Sequence, residues 1–239
     1  MAFPVVEEVI ENATPTAGTS HTINLPTPTA GQLLLIILDK GSTSASVNAH
    51  SELTELLDEG IANGLYIACR QMNGAEASPY TLTTSAATRT ASFAYRISGA
   101  MDLASRLPQV GVTAVAGSAT PDPPAITPTA LKDYLFIAFY GSPGEAVDDD
   151  TWSDTPPTNY TPSPPRQKAC GTAGTNLGGL IAAAERQLNT GSVEDPGTFA
   201  KDLSATWRAQ TIMVFPKDPI SPGPSRLPLV QNINHRSPI

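Results

Sequence analysis

The chain has 239 residues, of which 23 are Pro and 18 Gly; charged residues make up only 15 %, and the formal net charge is −8. That balance lacks the Lys and Arg clusters that phosphate contacts require, so nucleic acid is not an expected partner. The longest purely aliphatic run, Leu33–Leu38, is far too short to cross a bilayer, so no membrane partner is expected either.

Thr, Gly and Pro suit many short strands joined by tight turns, whereas long amphipathic helices need more Glu, Lys and Arg. The amino-terminal MAFPVVEEVIEN is acidic and has no basic segment leading into an apolar one, so no secretory signal is expected. Pro4–Ile10 reads as a leading strand or arm. His21–Leu25 alternates as a strand and is ended by Pro26, Pro28 and Gly31. Leu33–Leu38 is continuously apolar, as expected of a central strand covered on both faces. Ser51–Ile61 has Leu53, Leu56, Leu57 and Ile61 at helical spacing but is stopped by Gly60, and can also be a strand leading into a turn. Strands follow at Leu65–Gln71, Tyr80–Thr84 and Thr90–Ile97. Ala116–Pro128 is a Pro-rich connector, and Asp148–Pro165 reads as a long Asp- and Pro-rich loop. The remaining strands are expected at Tyr134–Tyr140, Leu180–Gln187, Thr198–Leu203 and Thr206–Phe215.

Two stretches repeat each other. From Gly64 and from Gly179 an apolar run closes on an Arg (Arg70, Arg186), with an Asn three residues on (Asn73, Asn189). A Pro-containing turn follows (Pro79, Pro196), then a Thr (Thr81, Thr198), then an apolar-rich strand. Upstream, GQLLLIILD at Gly31–Asp39 matches KDYLFIAFYG at Lys132–Gly141. Each half alone offers strands with an apolar face that must be covered, so two similar halves closing on each other give one sandwich. The expectation is an all-β, two-layer antiparallel jelly-roll-like β-sandwich spanning 1–215, with approximate halves 20–100 and 125–215.

Residues 216–239 differ sharply. Six prolines in this segment favour extended chain over ladders, and Lys217, Arg226 and Arg236 stand against Asp218 alone. With Leu227, Leu229, Val230 and Ile233 among them, the segment reads as a basic, apolar arm that docks on an acidic partner, with Arg226 and Arg236 supplying the charge.

Little points to catalysis. The histidines are His21, His50 and His235; no G-x-S-x-G elbow is present, and repeated Arg70 and Arg186 are read as structural ties to carboxylates or carbonyls. No cofactor is expected. Asp148, Asp150 and Asp154 form a weak calcium candidate, which lacks the Gly and the bidentate Glu of a calcium loop. Trp152 and Tyr160 can form a platform for a sugar ring, or simply anchor a loop. Asn12 and Asn159 match glycosylation acceptors by chance composition. Cys69 and Cys170 fit no zinc spacing and can pair in an oxidising setting, although the alternation around Cys69 makes it a small core residue.

The order TINLPTPTAGQLLLIILDKG, ELTELLDEG, LYIACRQMNGAE, FAYRISGA, SATPDPPAITP, LKDYLFIAFYG, PTNYT and VEDPGTFAKDLSATWRAQTIMVF resembles a widespread class of tailed-bacteriophage virion proteins. The resemblance covers His21 to Phe215 and implies a non-enzymatic β-sandwich displayed on the particle. It departs from the class pattern at Ser51-Glu52, where a Trp is usual. The implied protein is an exterior accessory module, a capsid decoration or head-surface protein, made in the bacterial host cytoplasm and located in the virion. Its implied partners are a major capsid or tail protein and further copies of itself. The alternative is a tail fibre or tail-tip module that binds a host glycan.

Overall fold

A computed structural model describes residues 2–41, 44–144, 154–170, 178–201 and 204–218. These residues are all-β, with no helix among them, and form two antiparallel sheets facing each other as a sandwich. The strands are β1 (Val5–Ile23), β2 (Leu33–Lys40), β3 (Thr54–Asp58), β4 (Leu65–Gln71), β5 (Tyr80–Ser98), β6 (Gln109–Val110), β7 (Ala114–Ser118), β8 (Lys132–Gly144), β9 (Thr161–Ala169), β10 (Gly178–Thr190) and β11 (Ala205–Val214).

The first sheet runs β1-β5-β2-β4-β3, and the second runs from β6 and β7, side by side along one edge of β11, through β8 and β10 to β9. The two orders are the same, strand for strand, once β7 is matched to β1, β11 to β5, β8 to β2, β10 to β4 and β9 to β3. The register agrees: Leu34 pairs with Arg70 in the first sheet, and Phe136 with Arg186 in the second. The expected halves therefore supply four strands to each sheet, β2–β5 and β8–β11, while most of β1 and all of β6 and β7 lie outside them, and the two apolar faces close on each other. The match reaches the connectors, since Thr-Pro-Thr-Ala recurs at 27–30 and 127–130.

Alternation along the two central strands divides the core into three layers. Leu33, Leu35 and Ile37 of β2 point inward, as do Leu135, Ile137 and Phe139 of β8; with Phe93, Tyr95, Ile181 and Ile212 they fill the space between the sheets. Leu34, Ile36 and Leu38 point outward beneath Ile23, Leu25, Val47 and Leu82, while Tyr134, Phe136 and Tyr140 point outward beneath Ile126, Tyr160 and Phe199. Both outer faces are thus roofed, which is why β2 is buried at every position and reads as one apolar run.

The roof over the first sheet is made by the β1–β5 ribbon itself. Its register slips between Thr14 and Ser20, and Asn12 hydrogen-bonds both the N–H and the C=O of Asn24, so the strand returns over its own sheet. Bulges of this kind bend a strand and raise its twist. His21 is pinned inside the bend between Thr84 Oγ1 (3.0 Å) and Thr90 Oγ1 (3.3 Å).

Four expectations are corrected. The strands foreseen at Pro4–Ile10 and His21–Leu25 are one continuous β1, and Tyr80–Thr84 and Thr90–Ile97 are one β5, because polar Thr, Gly and Ser at the bend interrupt the apolar alternation. Asp148–Pro165 is not loop throughout: Thr161 begins β9, an edge strand where Pro costs no ladder bond. The Pro-rich connector at Ala116–Pro128 starts inside β7, again at an edge. Thr198–Ala200 is not a strand but a loop held by an isolated bridge between Thr155 and Ala200. The ambiguous segment at 51–61 contains a short strand, β3.

Candidate functional site

A concavity of about 670 Å³ opens where the leading residues of β1 meet the β9–β10 edge of the second sheet. Backbone register creates it. Ala183 of β10 pairs with Arg166 and Glu185 with Thr161, so the Pro-Ser-Pro-Pro run at 162–165 bows away from its neighbour. Val5, Val6, Leu135 and Leu188 give the groove apolar walls; Asn159, Thr161, Arg166, Glu185, Arg186 and Gln187 give it polar ones. Gln187 Nε2 donates to the Pro4 carbonyl at 2.8 Å and ties the leading segment to the rim.

The charges in the groove are internally neutralised. Arg166 Nε meets Glu185 Oε1 at 2.8 Å, and Arg186 Nη1 meets Glu194 Oε1 at 2.8 Å. Burial pushes the Glu185 carboxyl up, with Arg166 opposing. Behind it the fully buried Tyr95 hydroxyl is pushed well up, first by burial and then by the Glu185 charge. With both guanidiniums in ion pairs, the described residues of the groove offer planar hydrogen-bonding groups and no unpaired cation among them. That suits a neutral polyhydroxyl ligand better than a phosphate or carboxylate. It holds no nucleophile with a base beside it.

The repeated arginines do what the sequence suggests of them. Arg70 pairs with Glu76 at 3.4 Å and Arg186 with Glu194 at 2.8 Å, at matching points of the two halves. Glu76 also accepts the Asn73 and Gly74 N–H groups at 2.6 and 3.1 Å, closing the turn after β4. On the other copy Glu194 accepts the Tyr160 hydroxyl at 3.1 Å. Both are fold ties that duplicate with the fold.

Sequence reasoning did not single out Asp39. It lies at the end of β2, fully buried, on the inward-facing series of Leu33, Leu35 and Ile37. Neither carboxylate oxygen has a hydrogen-bond partner among the described residues. Burial drives its pKa well up, opposed in part by Lys40, the Leu180 amide and Arg208, and reinforced by Glu59. Two glycines of the facing sheet make its room: a Cβ at Gly141 would stand 2.5 Å from Asp39 Oδ1, and one at Gly179 would overlap Oδ2. Gly141 is the repeat counterpart of Asp39, so a large residue in one half faces a missing side chain in the other. The alignment of GQLLLIILD with KDYLFIAFYG already set the two side by side. Lys40, pointing the other way and fully buried, pairs with Asp58 and donates to the Glu59 carbonyl at 2.6 Å.

Arg226, Leu227, Leu229, Val230, Ile233 and Arg236 of the arm, with Trp152, Asp148 and Asp150, lie outside the described residues. Tyr160 is corrected: it is 3 % exposed and packed in the outer layer of the second sheet, and a sugar platform needs a free ring face. Asp154 is buried and accepts the Tyr140 hydroxyl, which commits it to a core hydrogen bond rather than to the rim of a loop. Asn12, buried and bonded to Asn24, is no exposed glycan acceptor. No group of three His, Cys, Asp or Glu stands close enough for a metal among the described residues.

His21 is fully buried between its two threonines, and His50 Nε2 accepts the Thr83 N–H at 3.3 Å beside the Tyr80 ring. Burial lowers the pKa of both. Lys201 Nζ reaches Ser142 Oγ at 3.0 Å, but that hydroxyl donates to the Thr206 carbonyl and the serine is fully buried, so the pair is a packing contact. Cys69 and Cys170 are both free and buried in the inter-sheet layer, each thiol pushed up to about 12 by burial. No protein-family model, no curated protein and no solved structure matches the chain.

Proposed function

We propose that this chain is a non-enzymatic structural protein of a tailed-bacteriophage virion, an exterior β-sandwich module of the capsid-decoration or head-surface kind. The observation that carries the reading is the duplication: two halves of like strand order close on each other, and their recurrent polar residues, Arg70 with Glu76 and Arg186 with Glu194, tie each half internally. The sequence resemblance over His21–Phe215 supplies the particle. A body packed on three apolar layers, with His21 and His50 and its buried hydroxyls used in packing, suits a part that is displayed and bears load rather than one that turns over a substrate. The arm at 216–239 is the proposed attachment to a neighbouring virion protein.

Quantitative mass spectrometry of purified particles tests this. Hundreds of copies per particle support decoration, a few to tens support a tail part, and absence from the particle refutes the reading. A second reading, a tail module that recognises a host glycan, is favoured by one feature, the charge-neutral groove with Asn159, Arg166, Glu185 and Gln187 on its walls. A glycan array distinguishes it: binding lost on Gln187→Ala supports the groove, and no binding to host polysaccharide removes the reading.

A further inference from the structure

The sandwich has open edges at β1, β3, β9 and β7, and these are not protected alike. Exposed strand edges are templates for further pairing, and proteins blunt them with charge, Pro or bulges. β1 carries Glu7, Glu8 and Glu11; β3 carries Glu55 and Asp58; β9 carries Arg166, Lys168 and three prolines. β7, Ala-Val-Ala-Gly-Ser, carries none of these, although it occupies the position in the second sheet that β1 holds in the first. A one-residue excess opposite β11 between Val110 and Ala114 bends the chain there, and leaves Ala114–Ser118 as a regular strand paired only to β11.

Exposure follows the same line. Val112 is 84 % exposed and Val115 50 %, and Leu107 at the approach to β6 is also exposed. A side chain added at Gly117 would meet nothing within 4 Å, so the face of the sheet at this strand is open among the described residues. For a chain with net charge −8, a copy approaching most other faces meets like charge; this edge presents no charge between Leu107 and Pro121.

We propose that β7 is an interaction edge whose partner is the β7 of a second copy, paired antiparallel about a two-fold axis so that two second sheets join into one. Self-pairing suits this strand because, in an isologous contact, each residue must tolerate its own kind or a near neighbour across the axis. Ala, Val, Gly and Ser do so without repulsion, and Val112 and Val115 add apolar area beside the ladder. The dimer deepens the assembly part of the virion reading but can fail without it, since it is measured on the isolated chain.

The experiment is sedimentation equilibrium on the full chain up to about 100 μM, the range in which small interfaces register. A concentration-dependent monomer–dimer equilibrium is expected for the wild type; a strict monomer overturns the proposal. Gly117→Lys and Gly117→Glu are then compared, each checked for unchanged far-UV circular dichroism and melting temperature. Both are expected to raise the dimer dissociation constant at least tenfold. Equal dimerisation in wild type and both variants overturns the assignment to β7, and a loss with only one sign of charge assigns the contact to long-range electrostatics instead. Should the variants lose their fold, Ala116→Cys serves: an intermolecular disulfide forming under mild oxidation supports the paired edge, and none overturns it, the native thiols being buried.

Discussion

Replacing Asp39 with Asn changes one proton and almost no volume, so its effect on stability tests what the buried carboxyl is doing. The folded chain holds Asp39 with its pKa well above the ordinary value, because burial opposes ionisation more than Lys40, the Leu180 amide and Arg208 favour it. The unfolded chain releases that proton near the ordinary pKa of about 3.9. A raised native pKa contributes stability that is complete below the unfolded value and is lost as pH rises through the native one. Between those limits one proton separates the two states, and stability falls by about 1.4 kcal/mol per pH unit. Asn does not titrate. The gap between variant and wild type should therefore widen in favour of the variant as pH rises above the unfolded value, at up to about 1.4 kcal/mol per pH unit. For a chain of this size each such unit is a relative shift in melting temperature of about 3–6 °C. Scanning calorimetry of both proteins across the pH series reads it directly. His21, His50 and Glu185 titrate in both proteins and cancel in the difference. Parallel profiles would falsify the claim that burial outweighs those partners and holds Asp39 protonated.

The facing glycines give a second test: Gly141→Ala should cost about 1–3 kcal/mol by overpacking, and Asp39→Ala in the same chain should recover part of it, so strict additivity in denaturant titrations sinks the contact. Glu194→Ala strands both Arg186 and the Tyr160 hydroxyl, and should destabilise by roughly 2–4 kcal/mol; a loss below that of an exposed Glu would mean the pair is ornamental. His21 works in the opposite sense to Asp39. Its pKa is lowered by burial, so the stability of its neutral form is present above the unfolded value of about 6.5 and is lost as pH falls. His21→Gln should flatten that acid-side loss, and an unchanged slope counts against it. Finally, native protein should react with no thiol reagent, and guanidinium-unfolded protein should titrate two thiols; one or none in the unfolded chain would mean Cys69 and Cys170 are oxidised.

What the sequence made legible follows from which forces act locally. Leu33–Leu38 could be placed because a strand roofed on both faces must be apolar at every position. The repeat could be placed because Arg70 with Asn73 and Arg186 with Asn189 recur at equal spacing, and each arginine is tied to a carboxylate of its own half. The bend in β1 could not, because a ribbon leaving its sheet trades apolar alternation for Thr, Gly and Ser, which look like loop. β9 was hidden for a related reason: edge pairing on one side lets Pro162, Pro164 and Pro165 sit in a strand. Tyr160 misled because a tyrosine among Pro and Asp looks exposed, whereas here the loop is itself the roof of a core.

The two halves share strand order and register but differ both where they face each other and where they meet the outside. Asp39 stands opposite Gly141, so even the internal contact between counterparts is complementary rather than identical. Duplicate sheets facing each other about an approximate two-fold would otherwise bring like residues together, and two carboxyls at that point could not both be buried. One half therefore keeps the acid and the other gives up its side chain. The same divergence runs along the edges, where β1 keeps three glutamates and β7 keeps none. A duplicated module that loses edge protection on one copy only has one edge free to be satisfied from outside. Its partner strand β11 is held by β8 on the other side, so the ladder beneath the edge is already formed. On the proposed reading assembly is specified at β7, while charge guards the edges at β1 and β3.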